Sequence, residues 1–186
     1  EGGGVGGQAE EAWFPASLAQ GRIWFVEQLE PGEATYHLPF GVRFRGSLDG
    51  GALEGALGEL AARQEALRTS FHLVDGEVRQ CVHARVKLSL RWVDLTSLGT
   101  AEAEERLRQG MAEAGQGALD LGRAPLWRAE IYRLPGDEHV LWVVIHHIVS
   151  DGWSVRVFLS EVAELYRARV EGRAPALARL SIQGAD

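Results

Sequence analysis

The chain has 186 residues, 46% of them hydrophobic and six of them tryptophan, enough for one domain that buries about 70% of its unfolded surface. Its net charge of −7, from 26 acidic against 19 basic residues, excludes the basic surface that a nucleic-acid partner would need. The longest strongly apolar run, Val140 to Ile145, is too short to span a membrane, and the single cysteine, Cys81, permits no internal disulfide, which fits a reducing cytoplasm.

Residues 1–12 open with Glu1-Gly2-Gly3-Gly4-Val5-Gly6-Gly7 and are expected to be a flexible, glycine-rich leader. There is neither a signal peptide nor an initiator methionine, which suggests a piece of something longer. A helix then starts at a Ser17 cap and ends at Pro31-Gly32; Leu18, Ile23, Phe25 or Val26, and Leu29 fall at helical spacing and predict an amphipathic helix. Thr35 to Arg45 reads as a strand. Ser47-Leu48-Asp49 caps a second helix, Gly50 to Gln64, with Leu53, Ala56, Leu57 and Leu60 along one side.

A strand begins near Thr69, and Val74-Asp75-Gly76-Glu77 turns it into a second, Val78 to Val82. Lys87 to Val93 is a further short strand, and Thr100 to Gly115 a charged, largely solvated helix. Leu119 to Leu126 is a turn into the strand Leu126 to Leu134, which Pro135-Gly136-Asp137-Glu138 sends back antiparallel. A last helix runs from Ser154 to about Val170 with Val157, Phe158, Val162, Leu165 and Tyr166 inward, and 171–186 reads as loop. The sum is a mixed α+β fold with no internal repeat.

The most informative stretch is 139–158. Its first half is an apolar run rich in β-branched residues, expected to be a strand buried on both faces. Two adjacent histidines, His146 and His147, close that strand and must point to opposite sides, so only one can face a given cavity. Burying two imidazoles is costly unless each has a partner, so the pair points to function. A metal site is discounted, because the pair diverges, Cys81 lies far upstream, and no other Cys or His spacing completes a tetrahedron.

The pattern His146-His147-x-x-x-Asp151-Gly152 resembles the HHxxxDG signature of the chloramphenicol-acetyltransferase-like superfamily of acyl-transfer enzymes. Three segments narrow this to the condensation domains of nonribosomal peptide synthetases. Ser17-Leu-Ala-Gln20-Gly-Arg22-Ile-Trp24 is similar to the opening motif SxAQxRLW. Arg63-Gln64-Glu65-Ala-Leu67-Arg68-Thr69-Ser-Phe71 is similar to RHExLRTxF, with Gln64 where the family usually has His. His146 to Ser154 is similar to HHxxxDGWS, and Trp153 directly before Ser154 resembles condensation rather than epimerization enzymes. The form of the opening motif is closest to the subtype that joins an L-configured donor to an L-configured acceptor.

The resemblance implies a chloramphenicol-acetyltransferase-like lobe over residues 13–186, with a largely antiparallel mixed sheet flanked by helices. Family domains are about twice this length and have two lobes, so the C-terminal lobe, the other wall of the active-site tunnel, would be absent. The implied reaction joins two thioesters held on the phosphopantetheine arms of donor and acceptor carrier proteins, with no cofactor bound by this lobe itself. His147, Asp151 and Gly152 are the expected catalytic group, supported by His146, Arg68, Trp153 and Ser154; Arg68 would ion-pair with Asp151. Ser17, Arg22 and Trp24 would shape the substrate tunnel. Two rivals are an acyltransferase using soluble acyl-CoA and a non-catalytic gatekeeping or interaction domain of a synthetase.

Overall fold

A strand buried on both faces needs a helical layer on each, and the chain supplies both. The computed structural model describes residues 11–88, 90–150 and 155–178. Within them the order is β1 (Ala12–Pro15), α1 (Leu18–Leu29), β2 (His37–Arg45), α2 (Gly50–Arg63), β3 (Thr69–Val74), β4 (Glu77–Val82), β5 (Leu90–Asp94), α3 (Thr100–Gln116), β6 (Trp127–Leu134), β7 (Glu138–His146) and α4 (Val155–Glu171). Four strands form a sheet in the order β2-β7-β6-β5, antiparallel except for the parallel β5–β6 pair; β1, β4 and β3 form a separate antiparallel sheet.

β7 lies between β2 and β6, and alternate residues feed two cores. Leu141, Val143 and Ile145, with Ile131 of β6, join Leu53, Leu57 and Leu60 of α2 and Phe158, Val162 and Leu165 of α4. Val140, with Tyr132 and Leu134 of β6, packs with Ala103 and Leu107 of α3. The strand thus reads as continuously apolar because neither face meets water.

The turn chemistry is as the sequence indicates. Asp75-Gly76 has φ values of 52° and 81°, and Gly136-Asp137 has 77° and 57°. Two successive positive φ angles give the turn twist that closes two-residue hairpins, and Asp and Gly are the residues that tolerate it. Ser17 caps α1 and Asp49 caps α2, each side chain accepting a backbone N–H of the first turn.

Three expectations change. Residues 11–12 belong to folded structure, because β1 pairs with β4 from Ala12↔Val82 to Pro15↔Arg79. Pro15, which lacks a donor, is tolerated there because β1 is an edge strand. The second change is in α1, where Ile23 and Trp24 pack against the core but most of the expected apolar stripe turns outward. Leu18, Phe25 and Leu29 are 86%, 60% and 66% exposed, whereas Gln20 and Glu27 are buried. Hydrophobic spacing locates an apolar stripe but does not say that the stripe faces this core; here hydrogen bonds hold the opposite side. In α4, finally, Phe158, Val162 and Leu165 are buried as expected but Val157 is exposed, and Glu161 and Ala168 complete the inner face.

Gly41 of β2 lies opposite Trp142, and a Cβ there would sit 2.5 Å from the Leu141 carbonyl oxygen and 2.7 Å from the Trp142 ring. A backbone oxygen in a central strand cannot move aside, so Gly41→Ala is expected to destabilise the fold by about 1–3 kcal/mol, read as a lower urea midpoint at unchanged m-value.

Candidate active site at the end of strand β7

The two histidines have different fates. His146 is the last residue of β7, faces His37 of β2 in register and is fully buried. Its Nδ1 accepts the Ile148 N–H at 3.1 Å. A neutral imidazole with Nδ1 as acceptor carries its proton on Nε2, so Nε2–H donates to Glu27 Oε1, 3.2 Å away. Burial, then the nearby His37 and His147, push its pKa down to about 4. Burial, then Glu33, raise that of Glu27. Both shifts disfavour the charged forms, so the contact is a hydrogen bond from a neutral imidazole and not an ion pair.

A second contact ties α1 to the same corner. Gln20 Nε2 donates to the Ile148 carbonyl at 3.3 Å. The Gln20 Oε1 accepts Ser17 N–H at 2.8 Å, while Ser17 Oγ accepts Gln20 N–H at 3.1 Å. This reciprocal capping box holds the amide that supports the turn after β7. Ser17 is therefore the helix cap that its sequence position indicates.

Beyond His146 the chain enters one 3-10 turn, His147–Val149. The His147 carbonyl accepts both Ser150 N–H and Ser150 Oγ–H, each at 3.1 Å. Its backbone is thus fixed while its side chain is exposed. Ile148 and Val149 drop back into the core. Asp151, Gly152, Trp153 and Ser154 lie outside the described residues.

The second motif flanks this corner. Arg68 Nη1 donates to the His83 carbonyl at 2.6 Å, and its buried Nε has no hydrogen-bond partner among the described residues. Leu67 is fully buried, and its carbonyl accepts Trp127 Nε1–H at 3.0 Å. Gln64 donates to Glu161 Oε2 at 2.9 Å, joining α2 to α4. Trp24 and Arg22 part company. Trp24 and Glu27 line a cavity of about 510 Å³ with Phe71, His72 and Leu121, whereas Arg22 lies in an open groove of about 800 Å³ with Pro15, Phe25, Val26 and Val78.

Glu27 and Glu161 are the contributors that sequence reasoning missed. A faint signal existed for Glu27: Gln20, Trp24 and Glu27 recur at i, i+4 and i+7, one helix face on which the polar pair is buried.

Residues 10–181 match the condensation-domain family, so the chain belongs to that family. It is 42% identical over 173 residues to the malpinin synthetase of Mortierella alpina, covering 93% of this chain and 2% of that protein. Among solved structures it is similar to the first condensation domain of the calcium-dependent antibiotic synthetase in complex with a substrate analogue. That match has a TM-score of 0.81 and 27% identity, over 90% of this chain and 42% of that one. It is also similar to a complex of the X-domain and OxyB from teicoplanin biosynthesis, at TM-score 0.80 and 39% identity, over 92% of this chain and 36% of that one. The chain therefore spans well under half of the solved relatives it matches, with the α+β fold expected from its motifs.

The His146 environment has a direct readout. Its imidazole should stay neutral until about pH 4 in an NMR titration of the ring protons. An unfolded histidine titrates near 6.5, so from pH 6.5 down to about 4 the unfolded chain takes up a proton that the native site refuses. This group therefore withdraws stability as the solution is acidified through that window, and a native midpoint at 6 or above would contradict the burial.

Proposed function

We propose that this chain is the histidine-bearing N-terminal lobe of a peptide-bond-forming condensation domain. In this reading the amine of an acceptor aminoacyl thioester attacks the carbonyl of a donor thioester, both carried on phosphopantetheine arms of carrier proteins. The observation that carries it is the parting of the two histidines: His146 is locked to α1 while His147 stands at the surface on an anchored backbone.

The chemistry suits a positioning group. The amine nitrogen attacks the thioester carbon, its proton passes to the His147 imidazole, and the tetrahedral intermediate collapses with loss of the C–S bond and protonation of the leaving thiolate. An α-amine has a reference pKa of about 7.7–8.0, so a useful fraction is already nucleophilic near neutral pH. Aligning two tethered reactants supplies up to ~7–11 kcal/mol, against the ~10²–10⁴-fold typical of a general base. His147 is accordingly a positioner of the amine first and its proton acceptor second. Gly152, which precedes α4 in the sequence, is assigned to the developing oxyanion, and Asp151 to an ion pair with Arg68. Trp153 and Ser154 support that turn.

The rival with an observation behind it is a docking role without chemistry, since a complex of the X-domain with OxyB is among the similar structures. A soluble acyl-CoA acyltransferase is the other. In the full-length domain His147→Ala is expected to abolish most dipeptidyl product from two loaded carrier proteins while leaving circular dichroism unchanged. Near-normal turnover in the variant would refute the His147 role, absence of product from the unaltered domain would favour the docking role, and equal activity with free acyl-CoA would favour the third reading. The lobe alone is expected to form no product, because in this reading a second lobe supplies the opposite wall of the tunnel.

The Arg68 assignment is tested by a double-mutant cycle in the same domain. Arg68→Ala should cost about 3–5 kcal/mol by leaving a buried partner unpaired, and adding Asp151→Ala should recover much of that loss. Additive losses would refute the pair.

A further inference from the structure

The three-stranded sheet gathers polar groups that the proposed acyl-transfer site does not use. Cys81 and His83 are two residues apart at the end of β4 and so share a face. Glu11 immediately precedes Ala12, which pairs with Val82. A carboxylate oxygen of Glu11, the Cys81 sulfur and a ring nitrogen of His83 all lie within 4.8 Å of one another. Glu11 lies 70 and 72 residues before the other two along the chain, which is why no spacing pattern shows the group.

A relay runs behind this group. His83 Nδ1 is 3.1 Å from Glu11 Oε1, and His83 Nε2 is 2.7 Å from Ser70 Oγ, which is in turn 2.8 Å from His72 Nε2. Ser, His and Glu in this sequence of contacts have the form of a hydrolytic triad, but Ser70 is fully buried and no substrate reaches its hydroxyl. The exposed end is the other one: the Glu11 side chain is 51% exposed and that of His83 25%, over a fully buried Cys81.

The geometry points to a divalent transition-metal site, best suited to Zn²⁺, formed by Cys81 Sγ, His83 Nδ1 and the Glu11 carboxylate with one position left to solvent. Thiolate, imidazole and carboxylate are the donor types that zinc takes in a tetrahedron. Two bonds of ~2.0–2.1 Å at the tetrahedral angle put their donor atoms roughly 3.3 Å apart, close to the observed contact of Glu11 with His83. The hydroxyl relay can accommodate either state. Without metal, His83 Nδ1–H donates to Glu11, and Nε2 accepts the Ser70 hydroxyl. With metal on Nδ1, the proton resides on Nε2 and donates to Ser70, whose own hydroxyl turns to His72 Nε2. A ligating histidine held through its second nitrogen by an oxygen is the usual supporting arrangement. Cys81 loses its proton to solvent on binding, so affinity rises with pH.

Cobalt(II) is the probe, because a thiolate ligand gives a near-ultraviolet charge-transfer band and Cys81 is the chain's single cysteine. One equivalent of Co²⁺ should produce that band together with intense tetrahedral visible absorption, and Zn²⁺ should displace it. His83→Gln should lower the affinity at least tenfold, and Ser70→Ala by about 10–100-fold through the lost second contact. His147→Ala should leave the band intact, excluding the other exposed imidazole. Absence of the thiolate band at saturating Co²⁺ in the unaltered chain, or a band of undiminished affinity in His83→Gln, would overturn the site. The first of these readouts needs no variant, so a poorly folding substitution cannot rescue the proposal.

Discussion

The corner at the end of β7 is held from outside by a helix that docks through polar contacts. Glu27 accepts from His146, and Gln20 donates to the carbonyl of Ile148. Both side chains are buried, and leaving either without its partner would cost about 1–3 kcal/mol. The two bonds also fix geometry. With Nδ1 engaged by Ile148 N–H and Nε2 by Glu27, the His146 ring has one tautomer and one orientation, and the chain must leave it through a tight turn. The next side chain, His147, is thereby delivered to solvent. Two motifs more than a hundred residues apart in the chain thus form one mechanical unit, in which the first sets the pose of the third.

Much of this frame could be read before any coordinates. β7, both two-residue hairpins and the caps of α1 and α2 follow from rules of short range: continuous apolar runs, Asp-Gly or Gly-Asp pairs, and Ser or Asp before a helix. Strand alternation predicted that His146 and His147 part, although it is the 3-10 turn after β7, and not a further strand position, that holds His147. What could not be read is what depends on partners. The outward turn of Leu18, Phe25 and Leu29 reverses the usual meaning of an apolar stripe, because Gln20 and Glu27 have specific acceptors and donors across the fold. β1 was hidden by its shortness and by Pro15, which argues against a strand unless the strand is an edge. Glu161, which anchors Gln64, falls on the apolar face of α4, but its partner lies on another helix and could not be read from spacing.

Gln64, where the resemblance leads one to expect His, shows how an amide can serve at such a position. An amide at this place donates to Glu161 from a buried site joining α2 to α4. It offers the same kind of N–H donor as an imidazole but has no proton equilibrium near neutral pH. The helix pair is therefore tied without adding a further imidazole to those of His37, His139 and His146 in the buried interior.

The division between the adjacent histidines follows from the same reasoning. A proton acceptor must have a free lone pair, access to solvent or substrate, and an affinity for protons near the working pH. His146 fails each test: its Nδ1 is occupied, its Nε2 is a donor, it is fully buried, and burial drives its pKa to about 4. An imidazole so constrained is a bracket and not a base. Its neutrality is useful to its neighbour, because a charged ring at His146 would repel any positive charge arriving at His147. Burying His146 as a neutral donor leaves His147 as the member of the pair that, in the proposed reading, meets the incoming amine, and α1 is the element that enforces that asymmetry.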